Sequence, residues 1–151
     1  TWRANFKGVQ YHYPKTNFII TGAVDDLWVK QARELVVVDY KSTSKNGEIT
    51  MDDSWKDGYK RQMEIYQWLL RQNGFQVSDT GYFVYANGRK DPDGFYEKLE
   101  FEVTLLPYIG NAAWVEPTII NAHHCLMQDS IPDRNPKCEY CKYRQLAQSI
   151  E

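Results

Sequence analysis

The pattern of apolar and polar residues in the first part of the chain predicts a β-hairpin. Residues 18–29 and 35–39 are mainly apolar or β-branched, whereas residues 30–34 between them are polar. Two such runs joined by a short polar connection are typical of paired antiparallel strands. If the turn is centred near residue 32, Asp25 lies directly opposite Asp39.

A helix is predicted after this hairpin. Residues 42–53 contain the turn residues of a loop, and Ser54 to Asp57 resemble a capping box that starts a helix ending at Asn73. Apolar residues in this segment recur at spacings of three and four, which predicts one apolar stripe packed on a sheet. The stripe consists of Trp55, Tyr59, Met63, Tyr66 and Leu70.

The second half of the chain predicts two further strands and a second helix. Residues 81–86 have the pattern of a buried strand, and residues 97–105 alternate as a half-buried strand does. A helix is predicted over residues 114–128, with Pro117 in its first turn. The order β, β, α, β, β, α predicts an α/β fold with a central mixed β-sheet flanked by helices. The side chains expected to face inward from the later strand are Leu99, Phe101, Val103 and Leu105.

Composition is that of an ordinary soluble protein. Its 151 residues, 42% of them hydrophobic, suffice for one core, so we expect a single domain over residues 1–151. The net charge of -2 gives no overall basic field, so contact with nucleic acid would depend on local basic clusters or metal ions. A mean hydropathy of -0.63 argues against a membrane span. Three cysteines without a secretory leader fit the cytoplasm, and since the chain begins at Thr1 we expect a truncated N-terminal part.

The predicted register brings like charges together. Directly opposed residues of an antiparallel pair share a face with Cβ atoms about 5 Å apart. At an effective dielectric near 20, the carboxylates of Asp25 and Asp39 would repel each other by roughly 3 kcal/mol. We therefore expect a cation beside them. Lys41, two residues beyond Asp39, points to the same side of the strand, whereas Tyr40 points away.

Two carboxylates and a lysine on one face can support phosphodiester hydrolysis. Carboxylate oxygens favour a hard divalent ion such as Mg²⁺, which keeps several waters and leaves room for a phosphate oxygen. A lysine beside those waters can orient or deprotonate the attacking water and offset charge in the transition state. The alternative is that Asp25 caps its strand, Asp39 pairs with Lys41, and all three are simply solvated.

Three motifs resemble those of the RecB-type branch of the PD-(D/E)XK nuclease superfamily, over about residues 18–143. The motifs are Gly22-Ala-Val-Asp25, Val36-Val-Val-Asp39-Tyr-Lys41 and Gln62-Met-Glu-Ile-Tyr66. That branch includes CRISPR-adaptation exonucleases and the nuclease domains of recombination helicases. The resemblance implies a restriction-endonuclease-like core that uses Mg²⁺ or Mn²⁺ to cleave DNA.

The resemblance also implies roles for individual residues. Asp25, Asp39 and the Tyr40 carbonyl would hold the metal, and Lys41 would be the catalytic lysine. Gln62 and Tyr66 would complete the catalytic group and line the DNA path, and they share a helix face because they are one turn apart. Glu64, between them, is assigned to the solvated face.

Basic and aromatic residues near these motifs are candidates for DNA contact. Lys41, Lys45, Lys56, Lys60 and Arg61 could attract phosphates. Trp55, Tyr59 and Trp68 are the candidates for contact with bases.

The chain departs from the family pattern at both ends. Relatives carry a metal-binding histidine on an upstream helix, whereas the only early histidine here, His12, lies in strand-like alternation and is not expected to bind metal. The tail resembles that of relatives with a four-cysteine iron–sulfur cluster, but too few cysteines are present, so we expect no cluster. A zinc site using Cys125, Cys138, Cys141 and His123 or His124 is the alternative to a relic pair, Cys138 and Cys141, packed against the sheet.

These features favour a metal-dependent DNA nuclease. Because no separate recognition element is visible, an exonuclease acting on single-stranded ends is favoured over a sequence-specific endonuclease. The incomplete cysteine set leaves a second hypothesis, a weak or inactive nuclease-derived module for DNA binding or assembly. A third is a nuclease that acts only within a larger complex, with a helicase or integrase partner.

Overall fold

The fold is built around a four-stranded mixed sheet. The computed structural model describes residues 7–90 and 97–149. The strands of the sheet are β3 (Asp26–Val29), β4 (Leu35–Thr43), β5 (Thr80–Gly88) and β6 (Phe101–Ile109). They lie in this order, with β4 parallel to β5 and both outer pairs antiparallel. The predicted α/β fold with a mixed sheet is therefore confirmed.

A separate hairpin precedes the main sheet. Strand β1 (Val9–Tyr13) pairs with β2 (Phe18–Gly22) in a two-stranded antiparallel sheet. The chain then crosses to the main sheet within residues 23–25. The run over residues 18–29, which was predicted as one strand, therefore forms two strands of different sheets. The break was not predicted because a continuous apolar run gives no local signal of where pairing changes.

The hairpin between β3 and β4 has the predicted register. Asp26 lies opposite Val38, as expected for a turn centred near residue 32, and the connection is a short 3-10 turn, Gln31–Arg33. Because side chains alternate along a strand, continuing this register by one residue places Asp25 level with Asp39 and on its face.

Helix α1 (Asp57–Gln72) covers one face of the main sheet. It follows a 3-10 turn at Ser54–Lys56, where no side-chain cap hydrogen bond forms, so the predicted capping box is wrong. The helix ends where predicted, before Gly74, whose φ of +83° suits glycine. The core lies between this helix, the sheet and the small hairpin. Its members include Val37, Met63, Tyr66, Leu69, Leu70 and Phe83.

Two further helices follow the sheet. Helix α2 (Val115–Leu126) matches the predicted second helix and is joined to β1 by a hydrogen bond from Tyr13 Oη to Glu116 Oε2, at 3.0 Å. Helix α3 (Glu139–Gln148) lies in the tail, for which no helix was predicted. None of the helices in the described ranges is both long and apolar enough to cross a membrane.

Strand β6 presents the opposite face to the one predicted. The four side chains expected to face inward are 48% to 71% exposed. Leu106 and Tyr108 pack on the core instead, and the Tyr108 ring lies 6.0 Å from the ring of Phe83. Leu105 and Leu106 are both apolar, so the alternation of apolar and polar residues changes phase along the strand. Pairing with β5 therefore determines which face of β6 packs on the core. The exposed residues are Leu99, Phe101, Val103 and Leu105.

Glu64 is buried, at 7% exposure, and its assignment to the solvated face of α1 is wrong. Its carboxylate accepts hydrogen bonds from Tyr108 Oη at 2.7 Å, the Asn111 amide at 3.0 Å and Trp114 Nε1 at 2.5 Å. Burial, together with this hydrogen bond to Glu64, raises the pKa of Tyr108 to about 12. The carboxylate thus joins α1 to the end of β6 and to the segment that leads into α2.

Candidate active site

Asp39 and Lys41 form an ion pair on β4. Asp39 is 1% exposed, and Lys41 Nζ lies 2.5 Å from its Oδ2. Both side chains face α1, because residues two apart on a strand share a face. The Tyr40 side chain is 49% exposed on the opposite face, where its Oη donates to Asp26 Oδ2 at 2.8 Å. The strand therefore directs one carboxylate and one ammonium group to the same place.

Asp25 brings a second carboxylate to this face. It lies in the connection just before β3, and its Oδ2 accepts a hydrogen bond from the Tyr40 amide at 2.9 Å. Burial raises the pKa of Asp39, the charge and hydrogen bond of Lys41 lower it, and the Asp25 carboxylate raises it again, so that the net shift is upward. The two carboxylates are thus electrostatic neighbours.

Gln62 and Tyr66 extend this group across to α1. Lys41 Nζ donates to Gln62 Oε1 at 3.3 Å, and Gln62 Nε2 donates to Tyr66 Oη at 2.8 Å. The pKa of Tyr66 is raised, mainly by burial and further by the charges of Asp39 and Asp25, against the effect of the Gln62 hydrogen bond. A chain of side-chain contacts therefore runs from the carboxylates of the sheet to the helix.

The motif glycine Gly22 sets how closely α1 approaches the small hairpin. A Cβ atom at this position would lie 2.6 Å from Cε1 of the Tyr66 ring. Real Cβ atoms do not approach ring carbons so closely, so any larger residue must displace the ring. Gly22 therefore positions Tyr66, and through it Gln62.

Two tyrosines complete the surroundings of Lys41. Its Nζ lies 4.5 Å from the centre of the Tyr59 ring, within the range of a cation–π contact. Tyr85 is its partner in the parallel pairing of β4 with β5, and the Tyr85 hydroxyl is buried with no hydrogen-bond partner among the described residues. Burial raises the pKa of Tyr85. Sequence reasoning had missed Tyr85, since no local signal says which strand lies beside β4.

The residues predicted to contact phosphates lie on α1 and just beyond the end of β4. Arg61 is exposed, and Lys60 Nζ pairs with Asp57 Oδ1 at 3.2 Å. Lys45 lines a groove of about 590 Å³ with Arg89 and Lys90, beyond the carboxyl end of β4. The groove contains acidic residues as well, Glu48 and Glu102, so it is of mixed charge.

Two of the DNA-contact candidates are excluded by burial. Lys56 is 1% exposed and cannot attract phosphates from the surface. Trp68 is 5% exposed, and its ring packs edge-on against Tyr11 at 5.6 Å, so it cannot stack on a base. For both residues, the periodicity of apolar positions in the sequence did not show whether the side chain lies at the surface or in the core.

The histidine and cysteines named as alternative metal ligands lie elsewhere. His12 is exposed on β1, with its Nε2 2.7 Å from Asn17 Oδ1. Cys138 and Cys141 stand at the start of α3 and line a cavity of about 270 Å³ formed by the tail itself, rather than packing against the sheet as expected. Cys125 is an exposed free thiol. Within residues 7–90 and 97–149, no three His, Cys, Asp or Glu side chains group as a metal site.

One comparison with known proteins identifies the family of the chain. A family model described as the PD-(D/E)XK nuclease superfamily matches residues 2–146. The chain belongs to the PD-(D/E)XK nuclease superfamily. Members of this superfamily are generally nucleases, typically use divalent metal ions and have DNA as the implied substrate. Searches of curated proteins and of solved structures gave no match.

The side chains of this PD-(D/E)XK chain fit a hard divalent ion. Asp39 is 1% exposed, and its carboxylate lies beside the Asp25 carboxylate, with Lys41 Nζ 2.5 Å from its Oδ2. Mg²⁺ is commonly held by one or two carboxylates, with waters and substrate phosphate oxygens completing its shell. Asp25 and Asp39 supply two such carboxylates, so a third acidic ligand is not needed.

Proposed function

We propose that this chain is a metal-dependent deoxyribonuclease with Asp25, Asp39 and Lys41 as its catalytic group. The observation that carries the proposal is the Lys41 ammonium in contact with the buried Asp39 carboxylate, with the Asp25 carboxylate beside it. Burying a charged side chain costs free energy that burying an apolar side chain does not, and buried charged groups cluster at functional sites. Membership of a nuclease superfamily supports the same conclusion.

We assign a role to each residue of the group from its contacts and from the family resemblance. Asp25, Asp39 and the Tyr40 carbonyl would hold Mg²⁺ or Mn²⁺, which supplies Lewis acidity and lowers the pKa of bound water. Lys41 donates hydrogen bonds to the attacking water or a phosphate oxygen and offsets the negative charge that develops there. Gln62 accepts from Lys41 and so positions its ammonium, and Tyr66 in turn positions Gln62.

We further infer that the enzyme is an exonuclease acting on single-stranded DNA ends. The main support is that the described residues form no separate element for reading duplex sequence, whereas Lys45, Lys60 and Arg61 offer phosphate contacts that do not depend on sequence. The groove lined by Lys45 supports a strand path beyond the carboxyl end of β4.

Degradation of labelled DNA tests the proposal. With Mn²⁺ or Mg²⁺, the wild type should shorten a linear single-stranded oligonucleotide from one end and leave circular single-stranded DNA intact. Lys41→Ala should slow cleavage by about 100- to 1,000-fold, the usual loss when one donor to a developing charge is removed. Calorimetry should show that Asp39→Asn loses binding of Mn²⁺.

The control is Lys137→Ala, which removes an exposed lysine in the tail and should cleave at the wild-type rate. Thermal unfolding of each variant shows whether it is folded. If the wild type cuts neither linear nor circular DNA with either metal, the enzyme proposal is wrong. If it binds no metal either, the non-catalytic module becomes the better hypothesis.

The finer assignments are part of the same proposal. We place the chain in the RecB-type branch, as a single nuclease domain over residues 1–151 of a cytoplasmic protein. The order and spacing of the three motifs support this placement. A helicase or integrase partner would be expected to raise activity, and adding such a protein to the assay tests that expectation.

A further inference from the structure

The indole ring of Trp55 is exposed beside the candidate active site. It is 63% exposed, more than any other tryptophan in the described residues, and it lies in the 3-10 turn that leads into α1. A single exposed apolar side chain needs no explanation by itself. Trp55 differs from such a case because its neighbours hold it in a defined position.

Two contacts hold the Trp55 ring. Tyr59 meets it edge-on, with ring centres 5.7 Å apart and an interplanar angle of 80°. Lys56 Nζ lies over the ring, 5.1 Å from its centre. The ammonium lies over one face of the ring, and with both contacts in place Trp55 is still 63% exposed, so much of its surface is accessible to a ligand.

Lys56 is a buried cation fixed in place. It is 1% exposed, and its Nζ pairs with Asp53 Oδ2 at 2.9 Å and donates to the Thr50 carbonyl oxygen. A buried charge is costly unless it is paired and hydrogen-bonded, as this one is. The indole is therefore supported from within by a rigid group rather than by a flexible surface side chain.

Trp55 is also close to the predicted catalytic lysine. Tyr59 contacts both residues, with 5.7 Å to the Trp55 ring centre and 4.5 Å to Lys41 Nζ. Since these two contacts lie in series, the indole centre is at most about 10 Å from that ammonium. A stacked strand advances about 3.4 Å per nucleotide, so this upper limit corresponds to about three nucleotides.

We propose that Trp55 is a stacking platform for a base of single-stranded DNA within about three nucleotides of the scissile phosphate, an inference that rests on the proposed nuclease function. Every base has a π-face, so a stacking platform accepts any sequence. A base inside a duplex is already stacked and paired and cannot lie on the ring. Trp55 would therefore determine the preference for single strands and frayed ends.

Binding measurements without metal separate this platform from catalysis. The probe is a fluorescein-labelled oligothymidylate in EDTA, and its binding is measured by fluorescence anisotropy. An oligonucleotide of the same length made of abasic sites is measured in the same way as a control. Trp55→Ala should weaken binding of the oligothymidylate by about 5- to 100-fold, the usual effect of losing one stacked base. Trp55→Phe should retain most of the affinity. The abasic strand should bind the wild type and Trp55→Ala equally weakly.

The matched control is Phe75→Ala, which removes another exposed aromatic ring, 51% exposed and just past the opposite end of α1. It should bind like the wild type. Wild-type affinity in Trp55→Ala, or no binding of single-stranded DNA by the wild type, would overturn the platform. A wild type that binds through Trp55 but cuts nothing with Mn²⁺ would instead contradict the nuclease proposal and leave the platform standing.

Discussion

Replacing Glu64 by alanine should destabilise the protein more than any substitution at its surface. The change removes the single acceptor group shared by the Tyr108 hydroxyl, the Asn111 amide and the Trp114 indole N–H. A hydrogen bond to a charged group contributes about 1.5–3 kcal/mol, and a buried donor left without a partner costs about 1–3 kcal/mol. These effects do not add fully, since water can enter the space left by the side chain. We expect the free energy of unfolding to fall by about 3–5 kcal/mol.

Urea denaturation followed by tryptophan fluorescence measures this loss. Glu64→Gln keeps one acceptor oxygen but turns an NH₂ group towards a donor. Its free energy of unfolding should therefore fall by about 1–2 kcal/mol. The control, Glu102→Ala, removes an exposed carboxylate from β6 and should change stability by less than about 0.5 kcal/mol. A free energy of unfolding for Glu64→Ala within about 1 kcal/mol of the wild type would show that the carboxylate does not bridge α1, β6 and the start of α2.

Two further predictions concern the site and the effect of pH. Gly22→Ala should lower the rate of DNA cleavage about tenfold, because the added methyl group displaces the Tyr66 ring that positions Gln62. The circular dichroism spectrum should stay unchanged. An unchanged cleavage rate would contradict this role of Gly22. Since the folded-state pKa of Tyr108 is raised from 10.0 to about 12, its contribution to stability is complete below pH 10 and is lost as the pH rises to about 12. Tyr108→Phe should therefore flatten the decline of melting temperature over this range, and an identical decline would refute the assignment.

The sequence predicted the part of the site that depends on local pairing. A short polar turn between two apolar runs determines the register of β3 and β4, and this register places Asp25, Asp39 and Lys41 on one face. The end of α1 was also predictable, because Gly74 follows the last apolar repeat. These features depend on residues within a few positions of one another.

Features that depend on distant partners were not predicted. Glu64 has its three hydrogen-bond partners 44 to 50 residues later in the chain, so its charge alone suggested a surface position. In β6, apolar residues occupy both faces, and pairing with β5 and packing of Tyr108 on Phe83 determine the inward side. The burial of Lys56 likewise depends on Asp53 and on the path of the preceding loop.

The connection at residues 23–25 gives the two carboxylates different freedom to change during evolution. Asp39 lies inside β4, between two paired strands and under a helix, so a longer side chain there would press into the core. Asp25 lies outside both sheets, and the fully buried Val24 anchors its backbone. A glutamate could replace Asp25 without loss of any strand pairing. Residue 25 is therefore the position of the candidate site that can change while the central strand stays the same.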